Sequence, residues 1–81
     1  MRIPRDLAGD DLVKKLKKLG YETTRQTGSH IRLTTLQHGE HHVTIPRHAS
    51  LRIGTLASVI TDVAKHFGFS KEQMMRVLFE T

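Results

Sequence analysis

The chain has 81 residues, no cysteine and a formal net charge of +5 with its histidines neutral. That length suits one small domain, which hides only about 60% of its unfolded surface on folding. The absence of cysteine excludes disulfides, thiolate metal sites and a cysteine nucleophile. The positive balance favours a polyanionic partner, whether nucleic acid, an anionic membrane surface or an acidic protein; the plain alternative is a solvated basic surface. The start, Met1-Arg2-Ile3-Pro4-Arg5, lacks the apolar run of a signal peptide, and no later stretch is apolar for long enough to span a bilayer. A soluble cytoplasmic protein is expected, organised as one domain over residues 1–81.

The first predicted element is a helix. Leu12, Val13, Leu16 and Leu19 recur at helical spacing, with Asp10 and Asp11 at the start and Lys14, Lys15, Lys17 and Lys18 later, an order that suits the helix dipole. Gly20 is its expected stop. Three strands follow. Residues 21–27 are threonine-rich, as a pleated surface prefers. Thr27-Gly28 is the expected two-residue turn into a strand over 29–35, and a looser connection around Gln37-His38-Gly39 leads to a third over 40–45, ended by Pro46. Alternation puts Ile31, Leu33, Val43 and Ile45 on one face and His30, Arg32, Thr34, His42 and Thr44 on the other.

After the loop Arg47-His48-Ala49-Ser50, a second helix is marked by Leu56, Val59, Ile60, Val63 and Phe67, entered near Gly54-Thr55 and stopped by Gly68. A third starts at Ser70, where Gln73 completes a capping box and Phe69 with Met74 is placed as a hydrophobic staple. It runs over about 70–80. The order α-β-β-β-α with a terminal helix predicts an α+β two-layer sandwich: an antiparallel sheet with helices on its apolar face and its other face open to water.

On that open face, His30 is the residue best placed for chemistry. RNA cleavage by the 2′-hydroxyl needs one group to take a proton and another to give one, and an imidazole can serve either role. Arg32 and Arg25 could stabilise charge on the phosphorane. The competing reading is an idle surface histidine. A metal site is not expected: His41 and His42 are adjacent on a strand and point to opposite faces, and His30 with His42 across strands would supply only two ligands. His41 is expected at the edge of the core and His66 as an ordinary helical residue. His48, in a loop, could contact phosphate, serve as a second acid or base, or simply be solvated. The lysines of the first helix read equally well as a solvated face. Of the aromatics only Tyr21 falls on a strand, so no base-stacking platform is evident.

Several segments together resemble the HicA (YcfA-like) toxins of bacterial and archaeal toxin–antitoxin pairs. They are Leu12-Val13-Lys14-Lys15-Leu16 with Leu19-Gly20-Tyr21, then Arg25-Gln26-Thr27-Gly28-Ser29-His30. Val43-Thr44-Ile45-Pro46-Arg47-His48 and Ile53-Gly54-Thr55-Leu56 with Ile60 complete them, so that the resemblance spans about 7–67. It implies a fold like a double-stranded-RNA-binding domain, and a metal-independent ribonuclease, without cofactor, that cuts messenger RNA and stops translation. His30, in the Gly-Ser-His motif, would be the catalytic histidine. Arg25, Gly28, Ser29, Arg32 and His48 would help bind RNA, and a HicB-type antitoxin would block the site. The alternative, on the same fold, is a non-catalytic double-stranded-RNA binder; a degenerate toxin kept as an antitoxin partner is a third reading.

Overall fold

The computed structural model describes residues 6–80, so the start of the chain considered above for targeting lies outside the described residues. The first helix, α1 (Gly9–Leu16), carries Asp10 and Asp11 in its first turn and Lys14 and Lys15 in its last, and buries Leu12, Val13 and Leu16. A 3₁₀ turn over Lys17–Leu19 carries the apolar stripe on to Leu19 before a left-handed Gly20 ends it. Among the described residues no helix is long and apolar enough to cross a membrane.

Strands β1 (Glu22–Thr27), β2 (His30–Thr35) and β3 (His41–Pro46) form an antiparallel sheet in the order β1-β2-β3. The pairs Ile31↔Ile45 and Leu33↔Val43 place four apolar side chains on one face, and all four are buried. His30, Arg32, His42 and Thr44 on the other face are exposed. Helices α1 and α2 (Ile53–Phe67) pack against β3. The last helix, α3 (Lys71–Phe79), is seated on α1 and α2 and buries Met74, Met75 and Leu78, so it belongs to the core. Its start is set by the expected capping box: Ser70 Oγ accepts the Gln73 N–H at 3.1 Å, and the Gln73 side chain accepts the Ser70 N–H at 2.9 Å. The architecture is the α-β-β-β-α layout of double-stranded-RNA-binding domains, with α3 added.

Two details differ from the sequence reading. The turn between β1 and β2 is Gly28-Ser29, not Thr27-Gly28. Gly28 has φ +53° and Ser29 is not among the positive-φ residues. Left-handed φ at only the first central position is the type II′ pattern, which asks for glycine there and matches the twist of a hairpin. Tyr21 precedes β1 and is fully buried rather than standing on an open strand. Its hydroxyl is hydrogen-bonded to His41 Nδ1 at 2.7 Å; burial first, and the Asp62 carboxylate second, push the phenol well above its ordinary range.

β1 is exposed along its whole length, including Thr23 and Gln26, whose partners Leu33 and Ile31 face the helices. The helical layer lies beneath β2 and β3, and β1 overhangs it. At the far end of β2, Thr35 is buried; its hydroxyl donates to the Leu19 carbonyl at 2.8 Å and accepts the Gln37 N–H at 3.1 Å. Thr35→Val keeps the shape but strands a carbonyl and an N–H. The expected cost is about 1–3 kcal/mol, read as a lower midpoint with an unchanged slope in urea unfolding. An unaltered midpoint would show that neither bond contributes.

Candidate active site

The type II′ turn delivers His30 as the first residue of β2, opposite Thr27 on one side and Pro46 on the other. The ladder continues one step past Pro46, because the Arg47 N–H donates to the Ser29 carbonyl at 2.6 Å. That bond ties the Gly28-Ser29 turn to the segment following β3. His48 comes next, exposed, and its carbonyl accepts the Gly9 N–H at 2.9 Å. His30 and His48 therefore share one end of the sheet. The Arg47 side chain turns toward α1, where Nε lies 3.3 Å from Asp10 Oδ1.

Six histidines are present, and their surroundings separate them. His41 is hydrogen-bonded to the Tyr21 hydroxyl and lies 3.4 Å from Asp62 through Nε2, with its ring stacked on His66 at 4.4 Å. His66 Nε2 donates to the carbonyls of Gln37 at 2.9 Å and Gly39 at 3.1 Å, closing the β2–β3 turn. His38 packs edge-on against Phe67 at 5.3 Å. His42 lies between Thr34 Oγ1 at 2.7 Å and Glu40 Oε2 at 2.7 Å. Among the described residues, only His30 and His48 have neither a side-chain hydrogen bond nor a ring partner. A reactive imidazole needs at least one ring nitrogen within reach of the substrate, and both of these histidines offer one.

His30 and His42 do not approach one another, contrary to the possibility raised by the sequence. His42 pairs with Thr34, four residues along β2 from His30, or about 13 Å at strand rise. Among the described residues no group of three or more histidines, cysteines or carboxylates could hold a metal ion.

Arg32 stands two residues beyond His30 on the open face. Arg25 joins it for a reason the sequence did not reveal. The β1–β2 register shifts between Thr23 and Arg25, so that β1 carries a bulge and Arg25 lies directly opposite Arg32. Both arginines are exposed and neither has a carboxylate partner among the described residues. Beside them runs a row of polar contacts that sequence reasoning also missed. Thr24 Oγ1 lies 3.0 Å from Thr34 Oγ1, which bonds to His42, which in turn bonds to Glu40. Only the alternation of Thr34 and His42 hinted at it. The open groove along α2, lined by Gly54, Ala57, Ser58 and Lys65 among others, contains none of the predicted site residues.

Among the described residues, the arrangement is an exposed imidazole with no hydrogen-bond partner, two guanidiniums without a carboxylate partner on the same face, and a second unpartnered imidazole at the same end. It can exchange a proton with a bound polyanion and offset negative charge on it. Compared with known families, residues 9–71 match the model of the HicA_toxin family, described as HicA toxin of bacterial toxin-antitoxin. No curated protein and no solved structure matches the chain.

Proposed function

The chain belongs to the HicA toxin family of bacterial toxin–antitoxin systems, and from that premise we propose that it is a metal-independent endoribonuclease cleaving messenger RNA, with His30 as its acid–base group. The observation that carries the reading is the exposed imidazole of His30, unpartnered among the described residues, on a face that also presents Arg25 and Arg32. In the reaction the 2′-hydroxyl oxygen attacks the adjacent phosphorus and the bond to the 5′-oxygen breaks. The products are a 2′,3′-cyclic phosphate and a 5′-hydroxyl, so the proton lost at one oxygen is balanced by one gained at the other. His30 takes the first or gives the second. Arg25 and Arg32 hold the RNA backbone on that face through its phosphate oxygens, the Gly28-Ser29 turn lets the RNA backbone approach, and His48 binds phosphate beside the turn.

The partner that neutralises the toxin is a HicB-type antitoxin covering this open face, and the site of action is the cytoplasm, where messenger is found. A non-catalytic double-stranded-RNA binder is favoured only by the shared α-β-β-β-α layout, and it has no use for a free histidine at His30. The deciding experiment incubates purified, antitoxin-free protein with single-stranded RNA in excess chelator and identifies the new ends by mass spectrometry. Cyclic phosphate and 5′-hydroxyl ends are expected. Intact RNA after long incubation, or cleavage that the chelator abolishes, would overturn the proposal.

A further inference from the structure

The geometry points to a paired-guanidinium subsite, formed by Arg25 and Arg32, that holds the phosphate next to the scissile one in single-stranded RNA; this rests on His30 being the centre of an RNA-cleaving site. The bulge is the first support. Glu22 lies opposite Thr34 on the open face and Thr23 opposite Leu33 on the helical face. Strict alternation would then turn Arg25 toward the helices. The extra residue restores it to the open face, directly opposite Arg32, and re-aiming a side chain beside an active site is a characteristic use of bulges.

Charge is the second support. Like charges directly opposite on neighbouring strands repel, and no carboxylate among the described residues relieves these two. A phosphate bridging the guanidiniums removes the repulsion and accepts bidentate bonds from the planar forks. The third support is the bracing of the bulge itself. Thr24 Oγ1 reaches the Arg32 carbonyl at 3.4 Å and Thr34 Oγ1 at 3.0 Å, and Thr34 is held in turn by His42 and Glu40. That row of side chains crosses all three strands next to the arginine pair. Arg32 lies about 6.6 Å along the strand from His30, the scale of one nucleotide step in an extended RNA. Thr24, Thr34 and His42 are thus positioning residues for the subsite.

The test uses the full chain carrying His30→Ala, so that binding is read without cleavage, and a fluorescent single-stranded 2′-O-methyl oligonucleotide titrated at several salt concentrations. Arg25→Thr or Arg32→Thr is expected to weaken binding about ten- to hundredfold. Each should make the salt dependence shallower by about 0.7, the value for one phosphate of a single strand. The double variant should lose little more, because both arginines hold the same phosphate. Each single variant should also melt a few degrees higher once the repulsion is gone. Thr34→Val should weaken binding at unchanged net charge. Unchanged affinity and salt slope in both arginine variants would overturn the subsite, as would unchanged RNA binding with loss of antitoxin binding. Arginine-dependent binding by a wild-type protein that leaves cleavable RNA intact would keep the subsite and remove the nuclease reading.

Discussion

A His30→Ala protein should fold as the wild type does and fail to arrest growth, with messenger left intact in cells lacking antitoxin. His30 is exposed and has no side-chain hydrogen bond among the described residues, so its removal should change stability by less than about 0.5 kcal/mol. Loss of a positioned acid–base group should slow cleavage by about 10²- to 10⁴-fold. His48→Ala should cost less, since His48 stands beyond the end of the ladder rather than within it. The two quantities to compare are the melting temperature and the single-turnover cleavage rate. Undiminished cleavage by a folded His30→Ala protein would remove His30 from the chemistry and shift attention to His48, the other histidine without a partner.

The largest expected loss of stability from a single methyl group is at Gly9. This residue opens α1 where the helix meets the chain leaving β3, and it is buried. A Cβ there would overlap the Pro46 carbonyl oxygen and come within 3.1 Å of Arg47 Cα. Both are backbone atoms and cannot swing aside as a flexible side chain would. Gly9→Ala must therefore lift the helix start, strain the Gly9 N–H bond to His48, and disturb Pro46, the residue paired with His30. Overpacking of this kind costs about 1–3 kcal/mol, and each kcal/mol lowers the melting temperature by about 4–8 °C in a domain of this size. Gly54→Ala provides the contrast. A Cβ at Gly54 meets open space in the first turn of α2, and alanine is the better helix former. Equal melting of Gly9→Ala and wild type would contradict the close approach.

What the sequence disclosed followed from how strongly each residue type marks a face. Leu12, Val13 and Leu16 announced α1, and Ser70 with Gln73 announced α3, because periodic apolar residues and a capping box are local signals. Alternation was equally plain in β2 and β3, where Ile31, Leu33, Val43 and Ile45 must all be buried. The side of the sheet that His30 occupies was therefore legible, and the one-residue error in the turn did not alter it. β1 gave no comparable signal. Glu22-Thr23-Thr24-Arg25-Gln26-Thr27 contains no apolar residue, and nothing in such a strand distinguishes one register from another. The bulge at Thr24, and with it the pairing of Arg25 with Arg32, could be found only in three dimensions. The same holds for Tyr21, whose buried hydroxyl is hydrogen-bonded to His41, twenty residues away.

The overhang of β1 has a thermodynamic consequence. A strand that buries no side chain is held to the sheet by its ladder bonds and polar contacts alone, so it detaches at a lower free energy than β2 or β3, which are pinned by the core. Detachment would carry Arg25 away from Arg32 and leave Thr27 unpaired from His30. The arrangement that sets Arg25 opposite Arg32 is then one member of a conformational equilibrium, and a polyanion bound across the pair would stabilise the closed member by its preference for it. Antitoxin or RNA engaging Arg25 would thus contribute part of its binding energy to keeping the first strand of the sheet in place.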